Sequence, residues 1–513
     1  MNKKIRLIVG VACGVFAAIV FAFFATIHKN TVESICIRTA MAEQVLYDRE
    51  GIPCEDDLAG TVLPIAIGPN VLFLDLSNTC AVYDSSCMYT GIPMTISTVT
   101  DPAYQFYING ERVRNGSNIL LDHLGKDIRL QLVITKGTES RQYQIKTMPD
   151  DFPAIYMTGK STQPGEYYGD FLRGNGEHSF IYRMTNEGEI TYLQSSDHGD
   201  IYNFEKWDIA GESYYSYFQE KIEYDNISRI MLSYAQGVFV VMNENFEIID
   251  EVAVVPDEEK QVVKGYAEAH DFIMLDEGHY ITLSYLPRAP IPAHYQGDLT
   301  AKTKVLATYL QEVKDGEVLW SWISTDYPDF YLYSVEENDY TNSSLMVADY
   351  MHTNSVDIDP RDNNIIISSR HQDSVCKIDR VTGELIWTLG GVGDQFDLDD
   401  EQKFSHQHDA QILDNGSLLL FDNNNSSALS RIIQMELDEE RHILNHYSEY
   451  TMGTFSVACG CVTKLEETIF GIGWGVANNT NCIYSEVDIS SNTVLMQLVV
   501  DQNMSMTYRV RKF

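Results

Sequence analysis

Basic residues are scarce in this 513-residue chain: 36 Lys and Arg stand against 74 Asp and Glu, a formal net charge of −38. A field of that sign repels phosphate backbones and anionic headgroups, which excludes nucleic acid and the membrane surface as partners. It also means that an anionic substrate must find a locally cationic pocket. Several catalytic signatures are missing too. No G-x-G-x-x-G, phosphate loop, G-x-S-x-G elbow or H-E-x-x-H occurs, so dinucleotide binding, phosphate-loop chemistry, the serine-hydrolase elbow and the common zinc-protease site have no basis here.

What is present suits a large β protein. Hydrophobic residues make up 44%, enough for a real core, and the 31 tyrosines favour strands. The length exceeds one ordinary domain unless the architecture is a closed or repeated β fold. One long uncharged run exists, Leu7 to Ile27, behind Lys3, Lys4 and Arg6. Its 21 residues span a bilayer as a helix, and the positive end stays cytoplasmic. No small-x-small cleavage site follows directly, so residues 1–29 are expected to be a transmembrane anchor, with a cleaved signal segment as the alternative. The body is then extracytoplasmic: a single-pass cell-membrane protein, or a secreted one if the helix is removed. In that compartment disulfides are the first reading of the nine cysteines. Outside Cys13 in the apolar run they fall as Cys36 with Cys54, Cys80 with Cys87, and Cys459, Cys461 and Cys482, with Cys376 left over. Cys80–Cys87 is the best single pair. Cys459-Gly460-Cys461 has no second matching spacing, so a zinc site is not expected.

After a linker at 30–60, residues 61–150 alternate apolar and polar positions in short runs such as "VLFLDL", "YQFYINGERV" and "RQYQIKTM", with "NG" and "KG" turns. This is the pattern of a small antiparallel β-sandwich. "MPDDFPAI" links it to 151–513, where one strand–turn–strand element returns six times: "MTNEGEITYL" at 184, "MNENFEIIDE" at 242, "VKDGEVLWSW" at 313, "IDRVTGELIWTLGG" at 378, "MELDEERHILNHY" at 435 and "VDISSNTVLMQLVV" at 487. A second hairpin alternates with it: "HDFIMLDEGHYITLSY" at 270, "NSVDIDPRDNNIIISSR" at 354, "HDAQILDNGSLLLFDN" at 408 and "GCVTKLEETIFGIGWG" at 460. The last three turn at Asp362, Asp414 and Glu466, about fifty residues apart, the period of a four-stranded propeller blade. A β-helix needs much shorter rungs. The expected fold is all-β: a six-bladed β-propeller behind the sandwich and the N-terminal helix.

Thirteen histidines are spread through the chain, yet His406 and His408 share one three-residue window. Aligned on the inner turns, His270 lies six residues before Asp276 and His408 six before Asp414, while Asn354 falls near the same place before Asp362, with His352 two residues upstream. The first strand of each blade lines the channel, so His270, His352, Asn354 and His408 converge on one funnel, and Arg370 ends a neighbouring strand. A lone strand histidine is usually structural, but matching repeat positions favour a site. Period two puts His406 and His408 on one face. His178, His198, His279, His371, His442 and His446 have no such register and read as surface or packing residues. Asp271 and Asp409 read as structural hydrogen-bonders. Arg370 and Asn354 add a cation and an amide where a metal site would add carboxylates, so the pocket suits an oxyanion, and neither a metal nor a cofactor is expected.

The run "HTNSVDIDPRDNNIIISSR", then "KIDRVTGELIWTLGG", then "FSHQHDAQILDNGSLLLFDNN" resembles the bacterial arylsulfotransferase (aryl-sulfate sulfotransferase) family, densely from His352 to Asp438. The resemblance implies a six-bladed propeller that transfers a sulfuryl group from a phenolic sulfate donor to a phenolic acceptor without a nucleotide. It implies that His408 is the nucleophile that becomes sulfated, with His352, Asn354, Arg370 and His270 holding the sulfuryl oxygens. It also implies that His270 or His352 moves the phenolic proton. Sulfuryl transfer spreads charge over three equatorial oxygens, which suits fixed cationic and amide donors. The rivals are a histidine lyase or metal-dependent hydrolase on a propeller, and a non-catalytic anchored binding propeller. Pairing into a homodimer through the sandwich is left open.

Overall fold

The computed structural model describes residues 62–513 apart from 68–69, 76–79, 86–92, 96–102, 109, 114–117, 121–128, 148–151, 173–177, 197–198, 222–234, 264, 289–303, 339, 341–346 and 501–505. The apolar run 7–27, the linker at 30–60, Cys36, Cys54, the Cys80 and Cys87 side chains and His198 lie outside the described residues. No helix among the described residues is long and apolar enough to cross a membrane. The chain divides into two compact units, Met1–Phe152 and Pro153–Phe513.

The first unit carries a five-stranded sheet in the order Cys80–Ser85, Glu139–Thr147, Arg129–Lys136, Tyr104–Ile108 and Glu111–Val113. Two smaller strand pairs accompany it, Val62–Ile67 with Asn70–Asp75 and Pro93–Thr95 with Asn118–Leu120. Period two is visible where Phe106 and Ile108 are buried, and likewise Leu132 and Ile134.

The second unit is all-β and propeller-like. Among its described residues are six sheets of four or five strands, antiparallel but for the short parallel pair of Lys304–Lys314 with Val347–Ala348, taken here as the first to the sixth in chain order. Each of the six recurring outer elements is a hairpin of one sheet, from Ser179–Met184 with Ile190–Ser196 to Cys482–Asp488 with Thr493–Val500. The fourth sheet runs Thr353–Ile358, Ile365–Ser369, Ser374–Ile378, Leu385–Gly390, and the fifth runs His408–Ile412, Leu418–Asp422, Arg431–Asp438, Ile443–Thr451.

The core lies in the seams between consecutive sheets, which is why their central strands are buried on both faces. Ile365 and Ile367 point into the seam with Leu283 and Leu310 of the third sheet. Ile366, between them, points into the opposite seam with Leu418 and Leu420 of the fifth. Outer strands have a partner on one edge only, and Ile443–Thr451 is mostly exposed or half-buried. The four described cysteines follow this packing and correct the disulfide reading for their group: Cys376, Cys459, Cys461 and Cys482 are free thiols. Cys461 stands opposite Gly473 and Cys482 opposite Val499, so the registers keep them apart. Their Sγ atoms lie 3.3 Å from the Val510 carbonyl and 3.1 Å from that of Tyr484.

The two ends of this unit are tied together. Ile155–Gly159 is the outermost strand of the sixth sheet, beside Thr493–Val500, and Val510–Lys512 is the innermost strand of the first, beside Tyr167–Phe171. Lys512 Nζ is buried on Glu486 Oε1 at 2.9 Å. Nearer the centre, carboxylates on the inner strands reach to the next sheet. Asp170 accepts from the Asn203 N–H at 3.0 Å, Asp271 from Val356 at 2.9 Å, Asp357 from Ile412 at 2.8 Å and Asp409 from Val462 at 2.7 Å. These bonds satisfy inner-edge donors that no strand pairs. Asp271 and Asp409 thus bond backbone rather than histidine rings. Arg509 and Arg511 supply counter-charge from the terminal strand region: Arg509 contacts Asp271 at 3.1 Å, and Arg511 contacts Glu205 at 2.8 Å and also Asp409.

Removing one member of a buried ion pair leaves the other charge uncompensated, which costs about 3–5 kcal/mol. Arg509→Met is therefore expected to move the midpoint of urea unfolding to clearly lower denaturant. An unchanged midpoint would mean that the central ion network does not hold the sheets.

Candidate active site

The histidines of the sequence alignment sit at the entry to successive inner strands. His270 precedes Phe272–Asp276, His352 precedes Thr353–Ile358, and His408 opens His408–Ile412. The His270 and His352 rings meet edge to face with centroids 5.0 Å apart. Arg370 begins a 3-10 turn at the end of Ile365–Ser369, and its backbone N–H donates to the His352 carbonyl at 3.0 Å. Asn354 donates its amide to the carbonyl of Gln407, next to His408, at 2.7 Å.

Each ring is held through Nδ1. His270 Nδ1 lies 2.7 Å from Glu268 Oε2, and His352 Nδ1 lies 2.5 Å from Asp349 Oδ2. His408 differs: its Nδ1 faces the Asn423 side-chain oxygen at 2.7 Å and the His406 carbonyl at 3.0 Å. Asn423 cannot turn over, because its amide nitrogen donates to the carbonyls of Ser456 at 3.0 Å and Cys459 at 3.1 Å. Two acceptors at Nδ1 require the proton there, which leaves the lone pair on Nε2. Nε2 accepts only a long bond, from the Cys459 N–H at 3.3 Å. Burial, then the Arg370 and His270 charges, push the His408 pKa well below the usual imidazole value, and a neutral amide partner does little to restore it. At neutral pH His408 is a neutral imidazole with an available Nε2.

His352 is also pushed well below the ordinary imidazole range, by burial first and then by His270 and Arg370. Backbone strain collects here: His352, His406, Asp409 and Cys459 have φ of 51°, 56°, 57° and 60°, left-handed values uncommon for side-chain-bearing residues. Buried polar atoms with no protein partner cluster nearby, among them Glu268 Oε1, Asn354 Oδ1, Ser369 Oγ and Ser405 Oγ. Native proteins seldom leave such groups unpaired, so the region is fit for a polar ligand.

Two positions, His371 and His406, depart from the sequence reading. His371, read as a surface or packing residue, stacks on His352 with ring centroids 4.6 Å apart, and its Nδ1 meets the Asp349 carbonyl at 2.5 Å. Burial first, then His352, lowers its pKa to about 4. His406 does not share a strand face with His408: the strand starts at His408, and the left-handed backbone at 406 sends that ring to Glu336. Asn354 is wholly buried, with its amide nitrogen donating to the Gln407 carbonyl and its Oδ1 without a protein partner. Glu336 had no sequence signal, because it lies outside the repeats. It touches His406 and stands 3.4 Å from Arg370 and 3.5 Å from His371.

Two donor sets among the described residues have metal-like spacing. Asp349, His352 and His371 bring ligand atoms within 4.8 Å of one another, but they already bond each other or backbone, and the charge of Arg370 bears on all three. Asp359 and Glu439 of the other set are taken by Lys377 at 2.7 and 2.8 Å.

The family profile described as Arylsulfotransferase (ASST) matches residues 184–509, well over half the chain, and covers all these side chains. The chain belongs to the arylsulfotransferase family. No curated protein matches it. Solved structures with some likeness include a protein of unknown function from Bacteroides caccae, at 12% identity and TM-score 0.39, covering 68% of this chain and 99% of that one. Another is an inactive virginiamycin B lyase variant from Staphylococcus aureus with quinupristin, at 8% identity and TM-score 0.29, covering 67% and 99%.

Asn423→Asp tests the His408 tautomer. A carboxylate at Nδ1 should raise the ring's pKa by about 1–3 units, so the acid limb of kcat/KM for an aryl sulfate should move up toward neutral. In the unaltered protein the neutral ring persists above its lowered pKa. The acid limb that belongs to His408 should then lie below the ordinary imidazole range in the unaltered protein. An acid limb unmoved by Asn423→Asp would remove Asn423 from this role.

Proposed function

We propose that this protein is a nucleotide-independent aryl sulfotransferase working by a ping-pong scheme through a sulfohistidine at His408, on six sheets closed into a six-bladed propeller. Seam packing between consecutive sheets and the exchanged terminal strands support the closed ring. The observation that carries the chemistry is the Asn423 side-chain oxygen 2.7 Å from His408 Nδ1, which calls for the proton there and leaves Nε2 unprotonated on a ring of lowered pKa.

In the first half-reaction the Nε2 lone pair attacks the sulfur of a phenolic sulfate, the S–O bond to the ring breaks, and phenolate leaves. His270, oriented by Glu268, gives that oxygen a proton. Arg370 faces the oxygens that gather charge, with His352 lining the same subsite. In the second half-reaction an acceptor phenol loses its proton to His270, its oxygen attacks sulfur, and the S–N bond breaks to restore neutral His408. Asn354 serves by positioning the Gln407–His408 segment. The run 7–27 anchors the protein with this unit outside the cytoplasm, and where two chains pair, the N-terminal unit joins them.

The test uses the full-length protein in detergent with 4-nitrophenyl sulfate, with and without excess phenol, and no added metal. Phenol should accelerate nitrophenolate release. Intact mass should show one sulfuryl adduct, lost in His408→Ala together with turnover. Release that ignores phenol and needs a metal would instead favour the Asp349–His352–His371 set and a hydrolase. Neither release nor adduct would leave a binding propeller.

A further inference from the structure

The Arg370 guanidinium, whose charge bears on His408, already has an anion beside it. Glu336 follows the short helix Phe330–Tyr333, and its backbone is well tied: Val335 N–H donates to the His371 carbonyl at 2.9 Å, and Ser334 Oγ donates to the Glu336 carbonyl at 2.6 Å. Next to it, Glu337 accepts from the Asp349 N–H at 3.2 Å. One carboxylate oxygen of Glu336 is held closely by His406 Nε2, while the other stands at 3.4 Å from Arg370 and 3.5 Å from His371. The hydrogen bond from His406, with the charges of His371 and Arg370, holds the carboxyl down at about 2, so it is an anion at any working pH.

These two grips are unequal. The contact with His406 is tight, whereas 3.4 Å to Arg370 is at the weak end of hydrogen bonding. Glu336 can keep His406 and yield Arg370. A sulfuryl group arriving at Nε2 of His408 needs that guanidinium and must displace a carboxylate already there. A bare oxyanion offers only its own charge for the exchange. A sulfate ester also brings an aromatic ring, and binding energy from a remote group can drive displacement at the reacting centre.

We propose, on the basis of the sulfotransferase reading above, that Glu336 is an internal counter-anion to Arg370 and a specificity-determining residue. It excludes free inorganic oxyanions from the sulfuryl subsite and admits sulfate esters whose aryl group binds elsewhere. The enzyme thereby escapes inhibition by inorganic sulfate in its surroundings.

The experiment compares full-length protein with Glu336→Gln, and with Glu336→Asp to retain the charge. At constant ionic strength, inhibition of 4-nitrophenyl sulfate turnover by inorganic sulfate is measured alongside KM and kcat. Loss of a charge 3.4 Å from Arg370 should tighten inhibition by sulfate roughly tenfold or more in Glu336→Gln. KM for the ester should fall by less, and Glu336→Asp should resemble the unaltered protein. Unchanged inhibition with an unaltered melting temperature would overturn the proposal. So would a collapse of kcat at constant KM, which would make Glu336 a base. If the unaltered protein turns over no aryl sulfate, the sulfotransferase reading fails separately, and calorimetric titration with inorganic sulfate still decides: tighter binding by Glu336→Gln supports the counter-anion, and equal binding refutes it.

Discussion

Everything at the site depends on inner-strand carboxylates that bond the backbone of the next sheet. A sheet standing radially in a propeller leaves the donors of its innermost strand without a strand partner, and burial makes that expensive. Asp170, Asp271, Asp357 and Asp409 each accept such a donor across a seam. Burial raises the Asp170 and Asp357 carboxyls to about 7, and Arg509 and Arg511 from the C-terminal region contact Asp271 and Asp409. The last residues of the chain thus complete the first sheet and also neutralise the middle.

The same bonds fix where the histidines of the candidate site stand. Asp271 and Asp409 directly follow His270 and His408, so locking each carboxylate to the neighbouring sheet also sets the backbone that carries the ring. Left-handed conformations at His352, His406, Asp409 and Cys459 hold the strand entries in shapes they would not adopt alone. Amide and carboxylate partners then divide the work. His270 and His352 each meet a carboxylate oxygen at Nδ1. His408 meets an amide oxygen there instead, which brings no charge to draw a second proton onto the ring.

Much of this was legible where the signal was local. The outer hairpins carry polar turns between alternating strands, and four inner hairpins announced themselves in the same way, which put His270, His352 and His408 in register. The inner parts of the first two sheets were not legible. Tyr167–Phe171 pairs with Val510–Lys512 from the far end of the chain, and no local pattern links them. His371 was missed because the strand ends in a 3-10 turn at Arg370–Gln372, which breaks period two. His406 was misassigned because the strand begins two residues later. Glu336 has no repeat register to betray it, and only folding brings it to Arg370.

The central claim is that His408 is a neutral imidazole protonated on Nδ1. The most direct measurement is a nitrogen–proton NMR titration of histidine-labelled protein, with the His408 signals assigned by their loss in His408→Asn. The account predicts a protonated Nδ1 and a bare Nε2 throughout pH 6 to 8. A proton on Nε2 in that range, on a neutral or a charged ring, would contradict it.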